Sequence, residues 1–270
     1  MNLKDILIHI DQRPTCASRL EVALQLARQQ QAQLTGIYVI PHPRLSVRQS
    51  EDRDLAREAE LNFRQQADMA KVPCDWICVD SHKSGLNAIN AINLYAHYRD
   101  LLVISQTDEE QPDRAIPDNL PELAVLGSGR PVLIVPYAGT FNRELKNILL
   151  AWRGGPESSR SLHDAMPVLR KAEHVKVITV QGREGDEAYQ SHEADICKHM
   201  ARYQLPMSCE KRVTGNDLSV GDLLLNRCAE YGADLLVMGA TAQFRRGGQT
   251  LGETGRALLR HMTVPVLMSH

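Results

Sequence analysis

The sequence is poor in aromatics, which make up 4% of its 270 residues. So few rings make a stacking platform for single-stranded nucleic acid an unpromising reading. Charge of one sign is also missing. A formal net charge of −2 gives no basic face for nucleic acid and none for an anionic membrane. No apolar run approaches the length needed to span a bilayer. The first residues, Met1 to Asp11, meet charge too soon to read as a signal peptide, so the expected compartment is the cytoplasm. Six cysteines are present but no CxxC, and scattered cysteines in a cytosolic chain are expected to be free thiols. His192, Cys197 and His199 read as one face of a polar helix and not as a metal set. Several catalytic signatures are missing too: the nucleophile elbow G-x-S-x-G, the P-loop and HExxH. Ser158, Ser159, His163 and Asp164 share a helix, and that spacing alone does not make a triad.

What the chain does contain is a repeat. Asp100-Leu101-Leu102-Val103-Ile104-Ser105 recurs 134 residues later as Asp234-Leu235-Leu236-Val237-Met238-Gly239. Pro131-Val132-Leu133-Ile134-Val135 recurs at the same offset as Pro265-Val266-Leu267-Met268-Ser269. Two strand-like segments sharing one offset argue for a duplicated domain. In each half, short apolar runs alternate with segments of helical period in the order β-α-β-α-β-α-β-α-β. That order predicts two tandem α/β domains, each an open parallel sheet of the Rossmann-like kind, over residues 1–137 and 145–270. In such sheets ligands bind beyond the carboxyl ends of the strands. The glycine-rich run from Gly239 to Thr254, with two arginines and a helix after it, is therefore the main candidate loop.

The ending Leu259-Arg260-His261-Met262-Thr263-Val264-Pro265-Val266-Leu267, with the strand and loop before it, resembles the universal stress protein (UspA) family. The resemblance extends over both halves and suggests the tandem form on an adenine-nucleotide α-hydrolase-like fold. It implies an internal pseudo-dimer, with Val132 to Val135 beside Val266 to Met268, and further homodimerisation is open. It also implies an ATP motif, G-x2-G-x9-G-[S/T], which falls here on Gly239, Ala242, Gly252 and Glu253. The spacing is kept, but two of the four positions have changed. Ala242 obstructs a site that needs a positive φ or a close phosphate. Glu253 places a carboxylate among the amides that would hold an anion. Thr250 to Glu253 also fits a capping box, with Thr250 as N-cap.

Thr241, Arg245, Arg246 and Thr254 complete the candidate phosphate contacts, or else form a solvated loop. In the first half the matching loop, Ser105 to Arg114, is acidic. That half keeps Asp11, where the resemblance implies a contact to the nucleoside; the bland alternative is a turn or cap. The second half has Arg153 there, beside Trp152, which either stacks on an adenine or packs in the core.

The expected function is a stress-response protein that binds and signals, with a weakened or absent ATP site. The competing expectation is ATP or another adenine nucleotide in the second half, with slow hydrolysis possible. Further alternatives are an adenylate-forming enzyme of the same fold group and a small-molecule carrier using a pocket under Trp152.

Overall fold

The computed structural model describes residues 2–42, 51–108, 110, 116–181, 193–213, 218–245 and 248–270. The chain divides into two compact units, Asn2–Asn142 and Arg143–His270. No helix among the described residues is long and apolar enough to cross a membrane.

The first domain runs β1 (Asp5–Ile10), α1 (Thr15–Gln30), β2 (Gln33–Ile40), α2 (Asp52–Met69), β3 (Cys74–Asp80), α3 (Ser81–Ser84), α4 (Ala88–Ala96), β4 (Leu101–Ser105), α5 (Leu120–Gly127) and β5 (Val132–Val135). Its strands lie in the order β3-β2-β1-β4-β5, and each adjacent pair is parallel. Strand order therefore reverses between β1 and β4. The runs Leu101–Ile104 and Val132–Val135 are at most 1% exposed at every residue, so both faces of these strands are covered.

The charged stretch expected as a helix is α2. It buries Ala56, Ala59, Phe63 and Ala67 at near-helical spacing and leaves its charges outside. Phe63 meets Trp76 of β3 with ring centroids 5.5 Å apart. Gly36 of β2 lies beneath that indole, where an added Cβ would come within 2.8 Å of a ring carbon. The start of α4 has a side-chain cap: Asn87 accepts from the Asn90 amide.

The second domain runs β6 (Asn147–Trp152), α6 (Gly155–Leu169), β7 (His174–Gln181), α7 (Glu193–Ala201), β8 (Met207–Val213), α8 (Val220–Tyr231), β9 (Leu235–Gly239), β10 (Ala242–Arg245), β11 (Gly248–Leu251), α9 (Glu253–His261) and β12 (Val266–Ser269). Its parallel order is β12-β9-β6-β7-β8, with the reversal between β6 and β9. Ser219 caps α8 by accepting from the Asp222 amide.

The repeated aspartates do the same job in each copy. Asp100 Oδ2 accepts from the backbone amides of Lys4 (2.7 Å) and Asp5 (3.1 Å). Asp234 Oδ2 accepts from those of Lys146 (3.1 Å) and Asn147 (2.8 Å). Each aspartate thus sets where the central strand begins, by satisfying donors that precede its ladder.

Two expectations from the sequence are corrected. The run after β9 is not an irregular loop. Ala242–Arg245 and Gly248–Leu251 pair as an antiparallel hairpin, with Ala242 opposite Leu251. Nor are all the cysteines free: Cys197 and Cys209 form a disulfide, while Cys16, Cys74, Cys78 and Cys228 are free thiols. The pairing joins a helix to a strand, and linear spacing carries no sign of it.

Candidate functional site

In the first domain the end of β1, the start of α1 and the end of β4 enclose a polar cluster. Its centre is Arg19, fully buried at 1% exposure. The Arg19 guanidinium lies 3.1 Å from Asp11 Oδ1 and donates to Ser105 Oγ at 2.7 Å. Asp11 Oδ1 also accepts from the Arg13 amide at 3.1 Å, closing the turn between β1 and α1. His9 Nδ1 stands 3.7 Å from Asp11 Oδ2. The cavity left between His9, Asp11, Arg13, Arg19, Ser105 and Thr107 is about 10 Å³, room for one water at most.

The electrostatics are those of a closed internal pair. Burial raises the Asp11 carboxyl, but Arg19, then His9, outweigh it and hold it below the usual carboxylate range. Burial lowers Arg19 and Asp11 more than restores it, so the guanidinium stays charged. His9 is pushed down to about 4 by burial, against the pull of Asp11.

The His9 shift predicts a pH dependence. Its folded pKa lies below the ordinary 6.5, so the unfolded chain binds the proton more readily. Stability contributed by neutral His9 is complete above pH 6.5 and is lost as pH falls toward about 4. The full loss is of order 3 kcal/mol. Urea unfolding across that window should show a steeper decline for the wild type than for His9→Leu. Parallel curves would mean that His9 titrates normally.

In the second domain the corresponding groups have changed. Counting from the first strand of each domain, Asp11, Thr15 and Arg19 correspond to Arg153, Glu157 and Ser161. Arg153 is exposed, and its amide donates to Ser158 Oγ at 3.3 Å. Ser161 is buried and donates to the Ser158 carbonyl at 2.9 Å. Trp152 is half-buried at the end of β6, in register with Thr179 of β7. Gly239 ends β9 where α6 begins: an added Cβ would lie 2.5–2.6 Å from Glu157 C, Glu157 O and Ser158 N. In the first domain the same place holds Ser105, whose hydroxyl reaches the Thr15 carbonyl at 3.5 Å.

The other residues singled out from the sequence fall around the hairpin. Thr241 is half-buried, and its carbonyl accepts from the Gly252 amide at 2.8 Å. A Cβ on Gly252 would meet Thr241 Oγ1 at 2.5 Å. Ala242 begins β10 and is not among the residues with positive φ, so alanine is unstrained there. Arg245 ends β10, and Arg246 lies outside the described residues. The capping box is a second correction in this region. The N-cap of α9 is Gly252 with no side-chain cap, and Thr250 lies in β11 with its hydroxyl donating to the Leu251 carbonyl at 3.4 Å. Glu253, exposed, is the first helical residue, and Thr254 follows it half-buried. A carboxylate at that position complements the helix dipole.

Asp11 and the hairpin residues belong to different domains, each part of its own cluster. Among the described residues no group of three or more His, Cys, Asp or Glu could hold a metal ion. His192 lies outside them. His163 Nδ1 meets the Ser159 carbonyl at 3.1 Å and Asp164 faces Arg160 at 3.7 Å, contacts internal to α6 and not a triad.

The model of the universal stress protein family matches residues 144–270, the whole of the second domain. The second half of the chain belongs to the universal stress protein family. No curated protein sequence matches the chain. A universal stress protein from Archaeoglobus fulgidus DSM 4304 superposes with a TM-score of 0.76 at 17% identity, covering 98% of this chain and 97% of that one. A putative universal stress protein from Pseudomonas aeruginosa UCBPP-PA14 superposes with a TM-score of 0.62 at 18% identity, covering 99% and 93%. At such identities the likeness is one of fold. For the universal stress fold, then, the first domain supplies a sealed charge pair and the second a hairpin followed by an acidic helix start.

Asp11 already has a cation on it. Of the two glycines that matched the phosphate pattern, Gly239 is closed in by backbone, and Gly252 by the Thr241 hydroxyl, a side-chain atom.

Proposed function

We propose that the chain is a stress-response protein of the tandem universal stress type that works by binding and signalling, with no intact ATP site in either half. The observation that carries this reading is the Arg19 guanidinium on Asp11. A ligand seeking that carboxylate would have to displace a buried, hydrogen-bonded cation and leave it without its counter-charge. In the second domain the support is Glu253 at the head of α9 and the hairpin in place of a free loop. An anion near that helix start meets a fixed negative charge.

Equilibrium dialysis of the full chain against labelled ATP tests this. The expected result is no saturable binding up to about 1 mM, weaker than about −4 kcal/mol. Saturable micromolar binding would favour the competing reading, an adenine-nucleotide site in the second half.

A further inference from the structure

Two of the six cysteines are brought together by the second domain's fold. Cys197 sits on α7 and Cys209 on β8, with their Cα atoms 6.5 Å apart. That separation is within the span a disulfide bridges. Both are half-buried, so a small thiol can reach them. The remaining thiols are placed differently. Cys228 is buried, and burial pushes its thiol up to about 12, away from the reactive thiolate. Cys74 and Cys78 lie on one strand, β3, four residues apart, too far along an extended chain to bond each other.

Among the described residues, β8 is the outermost strand of this domain's sheet on its side, with β7 as its partner. α7 has nine residues, and of its described side chains Ile196 and Met200 are the buried ones. Cys197 lies next to Ile196 and one turn before Met200, so it faces the strand from the packed side.

We propose that Cys197 and Cys209 are a reversible dithiol–disulfide couple, a redox-modification site that fastens α7 to the edge strand β8. The oxidant is a small-molecule disulfide of the glutathione class. One cysteine thiolate attacks it, forming a mixed disulfide and releasing one small thiol. The second cysteine thiolate then displaces the other small thiol and closes the protein disulfide. The two cysteines lose two electrons and two protons in all, and the small disulfide becomes two thiols. Reduction runs the same steps backwards and frees α7 from β8.

The test uses the full chain equilibrated in a series of reduced and oxidised glutathione ratios, quenched in acid, alkylated and analysed peptide by peptide. Cys197 and Cys209 should lose alkylation together, in one transition, with no glutathione retained on either. In Cys209→Ala, Cys197 should either stay alkylatable or retain glutathione as a mixed disulfide. Amide exchange in α7 should slow about tenfold or more on oxidation of the wild type, with no such change in Cys209→Ala. Two results would overturn the proposal: alkylation of both cysteines at every ratio, or independent mixed disulfides on each in the wild type. Equal α7 exchange in the two redox states would overturn the fastening role.

Discussion

Arg19→Met is expected to cost about 3–5 kcal/mol of folding stability, the usual penalty for leaving one member of a buried ion pair behind. Arg19 and Asp11 have side chains 1% and 10% exposed, so bulk water has little access to the abandoned carboxylate. Ser105 also loses the donor at 2.7 Å. Two charges brought out of water recover little when both are removed, so Arg19→Met with Asp11→Leu should regain most of the loss and come within about 1–2 kcal/mol of wild type. Denaturant unfolding of the four proteins of this cycle measures the coupling directly. A loss below about 1 kcal/mol in the single variant would mean that the pair is solvated and the site open.

Gly239→Ala carries the second large effect. Its Cβ would enter the backbone at Glu157 and Ser158, and backbone at a helix start cannot rotate aside. Either α6 shifts along the sheet or β9 bends, and overpacking of this kind costs about 3 kcal/mol. For a domain of this size that is a fall in Tm of roughly 10 °C. Gly252→Ala is the control. Its obstacle is the Thr241 hydroxyl, a side-chain atom that another rotamer can remove, so the cost should stay near 1 kcal/mol. Thermal unfolding of both variants decides the matter. If Gly239→Ala were neutral, the glycine would have no packing role, and its match to a phosphate motif would regain weight.

The layout of strands and helices was legible because each half writes its buried strands as unbroken apolar runs, such as Leu101 to Ile104 and Leu235 to Met238. The duplication was legible for the same reason, since Asp100 and Asp234 recur with those runs. Their common task, holding the amides that precede β1 and β6, depends on which strand lies alongside and is invisible in the linear order. Arg19 is hard to single out from the sequence, because charged residues on helices mostly face solvent. A signal did exist: Arg19 falls three, four and seven residues before Val22, Ala23 and Leu26, on the buried face of α1. Glycines serve a phosphate loop and a hairpin turn alike, and the alternation Ala242-Gln243-Phe244 is a strand signal on the first arm alone. The Cys197–Cys209 bond offered no sign at all, since it depends on how α7 lies over β8.

We propose that neither half holds an intact ATP site, with Arg19 occupying the Asp11 carboxylate and Gly239 kept as glycine by packing. Native mass spectrometry of the freshly purified full chain tests it most directly, because a resident nucleotide survives gentle purification when binding is tight. The expected result is the mass of the bare chain, unchanged after incubation with millimolar ATP. A copurified adenine nucleotide, or one stoichiometric adduct that forms with ATP and disappears in the Gly252→Val variant, would contradict it.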